Sequence, residues 1–282
     1  MTDRWPAVAG AFYEADRERL IEQIEWCFKH PLGPGMLPSR TTIGEHKIIG
    51  LVSPHAGYMY SGPIAAHGYY ELSKREAVDT VIILGPNHTG MGSGVSIYPE
   101  GYWITPLGKV GVDRELGMLI AKFSEIADLD EMAHLHEHSI EVQIPFLQYI
   151  WETFSIVPIT MFMQTPVIAR KLARGIYEAE RELGKTIAVI ASTDFTHYEP
   201  YSAAYRKDKM AIEAILSLDS NLLYERIVQY DISMCGPGPV MTLTEYAKLK
   251  NDIKPRLLKY ATSGDITGEK ATVVGYASIV FY

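Results

Sequence analysis

Four short apolar runs, separated by segments with helical patterns, constrain the fold of this 282-residue chain more than any other feature. None of them alternates apolar with polar residues, so each suits a strand that is covered on both faces. The runs are KIIGLVS (47–53), TVIILG (80–85), FSIVPIT (154–160) and TIAVIAS (186–192). Strands that alternate with helices predict an α/β domain with a central, mostly parallel or mixed sheet flanked by helices.

The other elements follow from spacing. Helices are predicted over 16–30, 166–184 and 201–218, with apolar residues on one face of each. In the first, Asp16 is placed to cap the start and Cys27 falls on the core face. The last run, 272–282, predicts a final strand, antiparallel at a sheet edge. No repeat or change of composition marks a linker, so residues 1–282 are expected to form a single domain.

Charge and missing motifs exclude several classes of function. The net charge of -8, without a basic cluster, argues against binding to nucleic acid or to an anionic membrane. The N-terminus lacks the pattern of a signal peptide, and no apolar run approaches the ~20 residues of a membrane span, so a cytoplasmic protein is expected. No Walker A loop, GxGxxG turn or GxSxG elbow is present, which argues against a nucleotide cofactor and a serine hydrolase.

Polar residues collect where the predicted strands end. His55 follows the first run, His88 follows the second, and Asp194 and His197 follow the fourth. Ligands of open α/β sheets bind beyond the carboxyl ends of the strands, so these side chains are expected to converge there. Cys235 precedes a glycine- and proline-rich turn and the start of a predicted helix, where the helix dipole favours a thiolate. It can therefore be a nucleophile, a metal ligand or a small buried side chain.

The segment 134–141 holds the densest group of polar residues. A helix is predicted over 139–150. His138 and Glu141, three positions apart, share a face near its start and are candidates for supporting a site or contacting a substrate. His134 and His136 are expected to be solvated. The spacing of a zinc-protease helix is absent.

Six motifs give the chain a resemblance to the Memo family. They are PAVAGAFY (6–13), SPHAGYMYSG (53–62), ILGPNHTG (83–90), EHSIEVQIPFLQ (137–148), STDFTHY (192–198) and CGPGPV (235–240). The resemblance implies a fold similar to that of class III extradiol dioxygenases. It also implies that His55, His88 and Cys235 bind a metal ion and that His197 occupies the position of the acid/base histidine.

The implied ligand set departs from that of the dioxygenases, which use two histidines and a carboxylate. The thiolate of Cys235 favours softer metal ions. The resemblance therefore implies an iron or copper ion, or else zinc. It also implies poor activity in ring cleavage. Asp194 is expected to orient His197 or to make a hydrogen bond that supports a metal ligand. Tyr58 and Tyr198 are expected to contact the substrate, together with His138 and Glu141.

Three functions remain open. The first is a metal-dependent oxidoreductase acting on a small molecule. The second is a non-enzymatic module that binds a metal ion and a peptide, as the resemblance to eukaryotic Memo proteins implies. The third is a hydrolase with Cys235 as nucleophile and His197 as base, which requires those two side chains to lie within hydrogen-bond reach.

Overall fold

A computed structural model of the protein describes residues 3–38 and 48–282, and these residues form nine α-helices and eleven strands. The helices α1 to α9 span Arg17–Lys29, Tyr58–Leu72, Arg114–Ser124, Ile144–Ile150, Pro166–Leu183, Tyr201–Leu216, Ser220–Tyr230, Pro237–Lys250 and Ser263–Thr267. The strands β1 to β11 span Gly50–Ser53, Thr80–Pro86, Val95–Ile97, Tyr102–Thr105, Gly108–Val112, Asp128–Leu129, Ser155–Met161, Ile187–Ser192, His197–Glu199, Pro255–Thr262 and Val273–Phe281. Two 3-10 turns lie at Met132–His134 and Glu141–Gln143.

The strands form one mixed sheet. Its main order is β10, β11, β1, β8, β2, β7, β3, β6, with β5 beside β7, β4 beside β5, and β9 beside β11. The four predicted apolar runs become β1, β8, β2 and β7, which are adjacent and parallel. β10 and β11 are antiparallel neighbours on one side. The predicted α/β class with a mixed sheet is confirmed.

One prediction about the strands is wrong, and a second can be compared with the structure only in part. The final strand, β11, is antiparallel as predicted, but it lies between β1 and β10 rather than at an edge. The apolar run 272–282 could not reveal that β10 covers its outer side. The start of the run 47–53 is only partly testable, because residue 47 lies outside the described residues.

The two faces of the sheet are covered by separate groups of helices. Along β2, Ile82 and Leu84 pack with α3, α5 and α8, whereas Val81 and Ile83 pack with α1, α2 and α4. This alternation is the two-residue period of a strand, with apolar side chains required on both faces. The continuous apolar runs of the sequence therefore reflect a sheet buried between two helical layers.

The long helices follow their patterns closely. α1 begins after Asp16, whose carboxylate accepts hydrogen bonds from the backbone N–H groups of Glu18 and Arg19, as predicted. Cys27 is fully buried in the core. α5 and α6 also form within the predicted ranges. In the described parts of the chain, no helix combines the length and the apolar character needed to cross a membrane.

Candidate metal centre

Three parallel strands and one helix direct polar side chains to the same edge of the sheet. β1 and β2 flank β8, and the carboxyl ends of all three lie side by side. His55 and His88 each follow their strand by two residues, and Asp194 follows β8 by two. Cys235 lies at the start of α8, one residue before its N-cap, Gly236.

His55, His88 and Cys235 come together at this edge. Each offers one ligand atom, and the three atoms lie within 4.8 Å of one another. His55 Nε2 and Cys235 Sγ are 3.2 Å apart. Ligands bound at ~2.0–2.3 Å from one metal ion are themselves ~3–4 Å apart, so the spacing suits a shared ion. The predicted convergence of these three residues is confirmed.

The Cys235 thiol favours its neutral, protonated form when no cation is bound. Burial, and then the nearby carboxylate of Asp194, raise the pKa of the Cys235 thiol above its ordinary value. The expected thiolate is therefore not produced by the start of α8 alone, because the loss of hydration outweighs the helix dipole. The backbone N–H of Asp194 already donates to Sγ at 3.2 Å. A metal ion would displace the thiol proton.

Glu137 holds His88 in place, and this role was missed by the sequence analysis. Its carboxylate accepts hydrogen bonds from His88 Nδ1 at 2.9 Å and from the His88 backbone N–H at 2.6 Å. The backbone N–H groups of His138 and Ser139 donate to the same carboxylate, each at 2.9 Å. Burial opposes ionisation, but these donors, above all His88, lower the pKa of Glu137 to about 2. The only signal in the sequence was its position between two histidines.

His88, Glu137 and His138 form a second group with the spacing of metal ligands. A cation would have to compete there with four hydrogen-bond donors for the oxygens of Glu137. A cation bound through His88 Nδ1 would also have to remove the proton that this atom donates to Glu137. The contacts of Glu137 therefore mark it as a support for His88, which leaves His88 Nε2 for an ion.

His138 lies beside both ligand histidines. Its ring stacks on His88, with centroids 4.8 Å apart and planes inclined by 19°, and its centroid is 5.4 Å from that of His55. Phe12 packs at 4.8 Å. Burial lowers the pKa of His138, so the neutral imidazole is favoured. The structure therefore places His138 beside the two ligand histidines.

Of the two roles predicted for Asp194, the structure shows the supporting hydrogen bond, whereas His197 is oriented by another residue. Asp194 is buried, and its Oδ1 accepts a hydrogen bond from the backbone N–H of His55 at 2.9 Å. Burial raises the pKa of its carboxyl group. His197 is held by Ser233 instead, because its Nδ1 lies 2.8 Å from the Ser233 carbonyl oxygen and its backbone N–H donates to Ser233 Oγ. Asp194 thus positions the His55 loop, and Ser233 orients His197.

Known proteins are similar in sequence to this chain over almost its whole length. The sequence model described as "Memo-like protein" matches residues 4–280. This chain belongs to the Memo family. A "MEMO1 family protein" of Desulfurococcus amylolyticus is 56% identical over 283 residues, covering 100% of both chains. Another, of Sulfurisphaera tokodaii, is 52% identical over 281 residues, covering 99% of both.

A solved structure supports the fold of this Memo-family chain. The uncharacterized protein JW3007 from Escherichia coli K12 matches with a TM-score of 0.53 and 15% sequence identity. The match covers 83% of this chain and 99% of that one. At this identity, the likeness concerns the fold alone.

Three of the predicted placements in this Memo-family chain are wrong. Glu141 is fully buried and accepts hydrogen bonds from Tyr13 Oη and from the Arg4 guanidinium, with which it forms an ion pair. Tyr58 is 2% exposed and donates its hydroxyl to the Val142 carbonyl at 2.6 Å. Neither side chain is free to contact a substrate. His134, expected in solvent, is completely buried.

Tyr198, unlike Glu141 and Tyr58, is exposed to solvent. Its side chain is 77% exposed, and its backbone adopts the left-handed conformation at φ 58°. Its ring lies 5.9 Å from that of His197. The predicted contact of Tyr198 with a substrate stays a prediction, and the position beside His197 permits it.

Proposed function

We propose that this Memo-family chain is a metal-dependent oxidoreductase that binds an iron or copper ion through His55, His88 and Cys235. The observation that carries the proposal is the approach of two imidazole nitrogens and one thiol sulfur to within 4.8 Å of one another. Imidazole suits iron, copper and zinc, and thiolate adds a preference for softer ions. An iron or copper ion supplies one-electron redox chemistry when bound, whereas zinc would not.

His197 is proposed as the acid/base group. A carbonyl oxygen can only accept a hydrogen bond, so the 2.8 Å contact with Ser233 O requires the proton of neutral His197 to be on Nδ1. The lone pair is then on Nε2, available to take a proton from a bound ligand. Tyr198 and His138 are proposed to contact that ligand, a small molecule or a peptide side chain. The cytoplasmic location remains part of the proposal.

A hydrolase based on Cys235 and His197 receives little support. Cys235 Sγ lies 3.2 Å from the imidazole of His55, and the imidazole of His197 contacts Ser233. The pKa of the thiol is raised, and burial, followed by the neighbouring histidines, lowers the pKa of His55 well below its ordinary value. These directions oppose the thiolate–imidazolium pair of cysteine hydrolases.

The binding-module alternative has one observation in its favour. Tyr198 and Met59 are 77% and 57% exposed, and each lies next to a segment that forms the site. Exposed apolar side chains near a polar site suit a peptide ligand. Turnover of a redox substrate separates the two functions, because the module predicts a bound ligand without it.

Metal analysis after anaerobic purification tests the proposal. We expect about one iron or copper ion per wild-type chain and oxygen consumption with a reducing substrate. His197→Ala should retain the ion and lose most turnover, by about 10²-fold or more, whereas His136→Ala, which changes an exposed histidine, should alter neither. Loss of the ion from His197→Ala would make His197 a ligand, and absence of metal from the wild type would overturn the proposal.

Ring cleavage is proposed to be slow even with Fe(II). Catechol cleavage needs two open positions on a hard-ligated iron, whereas Cys235 adds a soft thiolate that is itself open to oxidation. Steady cleavage of catechol at about 1 s⁻¹ or faster, lost in His197→Ala, would contradict this expectation.

A further inference from the structure

The hydroxyl group of Ser192 lies at the centre of a buried network behind His55. Ser192 is the last residue of β8 and is fully buried. Its Oγ is 2.7 Å from the carbonyl oxygen of Ser139, 2.8 Å from Nε2 of Gln143 and 2.8 Å from Nδ1 of His55. A hydroxyl has one proton to donate and two lone pairs, so these three contacts use its full capacity.

The orientation of the Gln143 amide is determined by a main-chain group. Its Nε2 lies 2.9 Å from the carbonyl oxygen of Pro54, which can only accept a hydrogen bond. The NH2 end must therefore face Pro54, and its second hydrogen points to Ser192. The other end, Oε1, accepts the hydroxyl proton of Tyr69. The amide cannot be reversed without placing two acceptors against each other at Pro54.

The direction of the Ser192 hydroxyl follows from its own carbonyl neighbour. Ser139 O can only accept, so Ser192 donates its single proton there. Its lone pairs then accept from Gln143 and from His55. His55 Nδ1 must carry a proton in order to donate to Ser192. The lone pair of neutral His55 is consequently on Nε2, which faces Cys235 Sγ at 3.2 Å.

We infer that Ser192 and Gln143 are positioning residues that hold His55 as the Nδ1–H tautomer, with the Nε2 lone pair directed into the metal centre. The part of this inference that concerns metal affinity rests on the proposed metal site, whereas the tautomer itself does not. The two ligand histidines are then oriented by different chemistry. Glu137 supplies a carboxylate to Nδ1 of His88, and Ser192 supplies a neutral hydroxyl to Nδ1 of His55.

The neutral network adds no charge beside His55. A carboxylate partner makes an imidazole more basic and adds negative charge to the site, whereas a hydroxyl mainly fixes orientation. All its members, Tyr69, Gln143, Ser139 and Ser192, are at most 1% exposed. Removing the hydroxyl of Ser192 would leave three buried polar groups without their partner, so the orientation of His55 would no longer be specified.

The test is the tautomer of His55 in metal-free protein. Long-range proton–nitrogen NMR spectra of protein labelled with ¹⁵N-histidine distinguish Nδ1–H from Nε2–H, and His55→Asn assigns the signal by its loss. We expect wild-type His55 to be the Nδ1–H form. Ser192→Ala should move it toward Nε2–H, because Nδ1 loses its acceptor. Tyr69→Phe should leave it unchanged, because Pro54 still orients Gln143.

Zinc affinity, measured by competition with a chromophoric chelator, gives the second readout. Ser192→Ala should weaken Zn²⁺ binding by about 10- to 100-fold. Ser278→Ala is the matched control, since Ser278 is an equally buried strand serine whose hydroxyl has no hydrogen-bond partner in the described part of the chain. That variant should change neither the tautomer nor the affinity.

The outcomes separate the inference from the proposed function. An Nε2–H tautomer in the wild type overturns the inference, and this result does not depend on whether Ser192→Ala folds. If neither the His55 tautomer nor the Zn²⁺ affinity changes in Ser192→Ala, Ser192 does not position His55. Wild-type protein with the expected tautomer but no Zn²⁺ binding would support the network and count against the proposed metal site instead.

Discussion

At the residue scale, His134 and His136 show how burial separates two nearby histidines. His136 is exposed, whereas His134 is completely buried. The Nε2–H of His134 donates to the carbonyl oxygen of Ser96 at 3.1 Å, and within the described residues its Nδ1 has no partner. Burial lowers the pKa of His134 to about 3. The native protein therefore keeps it neutral at acid pH at which the unfolded chain would protonate it.

We expect His134 to make the fold sensitive to acid between about pH 6.5, the unfolded pKa, and about pH 3. In this interval the unfolded state binds more protons, so the free energy of unfolding falls as the pH falls. His134→Gln keeps a donor for Ser96 but does not titrate. Between about pH 7.5 and about pH 4.5, the wild type should lose roughly 2 to 3 kcal/mol more stability than this variant.

Urea unfolding at the two pH values measures this difference. His136→Gln is the control and should follow the wild type. If His134→Gln loses as much stability in acid as the wild type does, the buried imidazole is not the source of the sensitivity.

At the element scale, the segment from His138 to Gln143 departs from its sequence pattern. The pattern predicted a helix that begins near Ser139, with His138 and Glu141 on one face. The structure has a turn and then the 3-10 turn Glu141–Gln143 before α4. The Glu141 carboxylate forms an ion pair with Arg4, which lies 137 residues earlier in the chain. Such a long-range ion pair leaves no local periodicity, whereas the apolar runs of the strands are local and were predicted well.

The Glu141 carboxylate anchors the N-terminal segment. It accepts hydrogen bonds from the backbone N–H groups of Ala7 and Val8 as well as from Arg4. We expect Glu141→Gln to cost about 3 to 5 kcal/mol of stability, because it leaves the buried guanidinium without a counter-charge. Denaturant unfolding measures the loss, and faster hydrogen exchange of the Ala7 and Val8 amides would locate it.

Glu178→Gln is the matched control for Glu141→Gln. Glu178 pairs with Arg181 on the exposed surface of α5, with 38% and 63% of the two side chains accessible. Such a pair contributes at most about 1 kcal/mol. Equal effects of the two substitutions would show that Glu141 has no special structural role.

At the scale of the whole molecule, the candidate ligands span the chain from residue 55 to residue 235. The sequence predicted the convergence of the two histidines, because each follows an apolar run and neighbouring parallel strands end at one edge, whereas the place of Cys235 among the ligands was implied by the resemblance to the Memo family. The sequence does not predict the order of the outer strands or the hydrogen bonds of Glu137 and Ser192, because these depend on which distant segments come into contact. A bound ion would therefore link segments that only the folded chain brings together.

We expect a bound metal ion to stabilise the whole fold. At a free metal concentration a hundred times Kd, binding adds about 2.7 kcal/mol, which corresponds to an increase in Tm of about 5 °C or more for a chain of this size. Calorimetry with Zn²⁺ and then with a chelator measures the shift. Cys235→Ala should abolish it and Cys27→Ala, at the buried core cysteine, should retain it. A metal-dependent shift that persists in Cys235→Ala would contradict the ligand assignment.

X-ray absorption spectroscopy of metal-loaded protein tests the central claim most directly, because it reads the atoms bound to the ion. For the zinc-loaded wild type we predict one sulfur at ~2.3 Å and two imidazole nitrogens at ~2.0–2.1 Å. The sulfur contribution should disappear in Cys235→Ala and remain in Cys27→Ala. A wild-type spectrum with only nitrogen and oxygen neighbours would contradict the assignment of His55, His88 and Cys235 as the metal ligands.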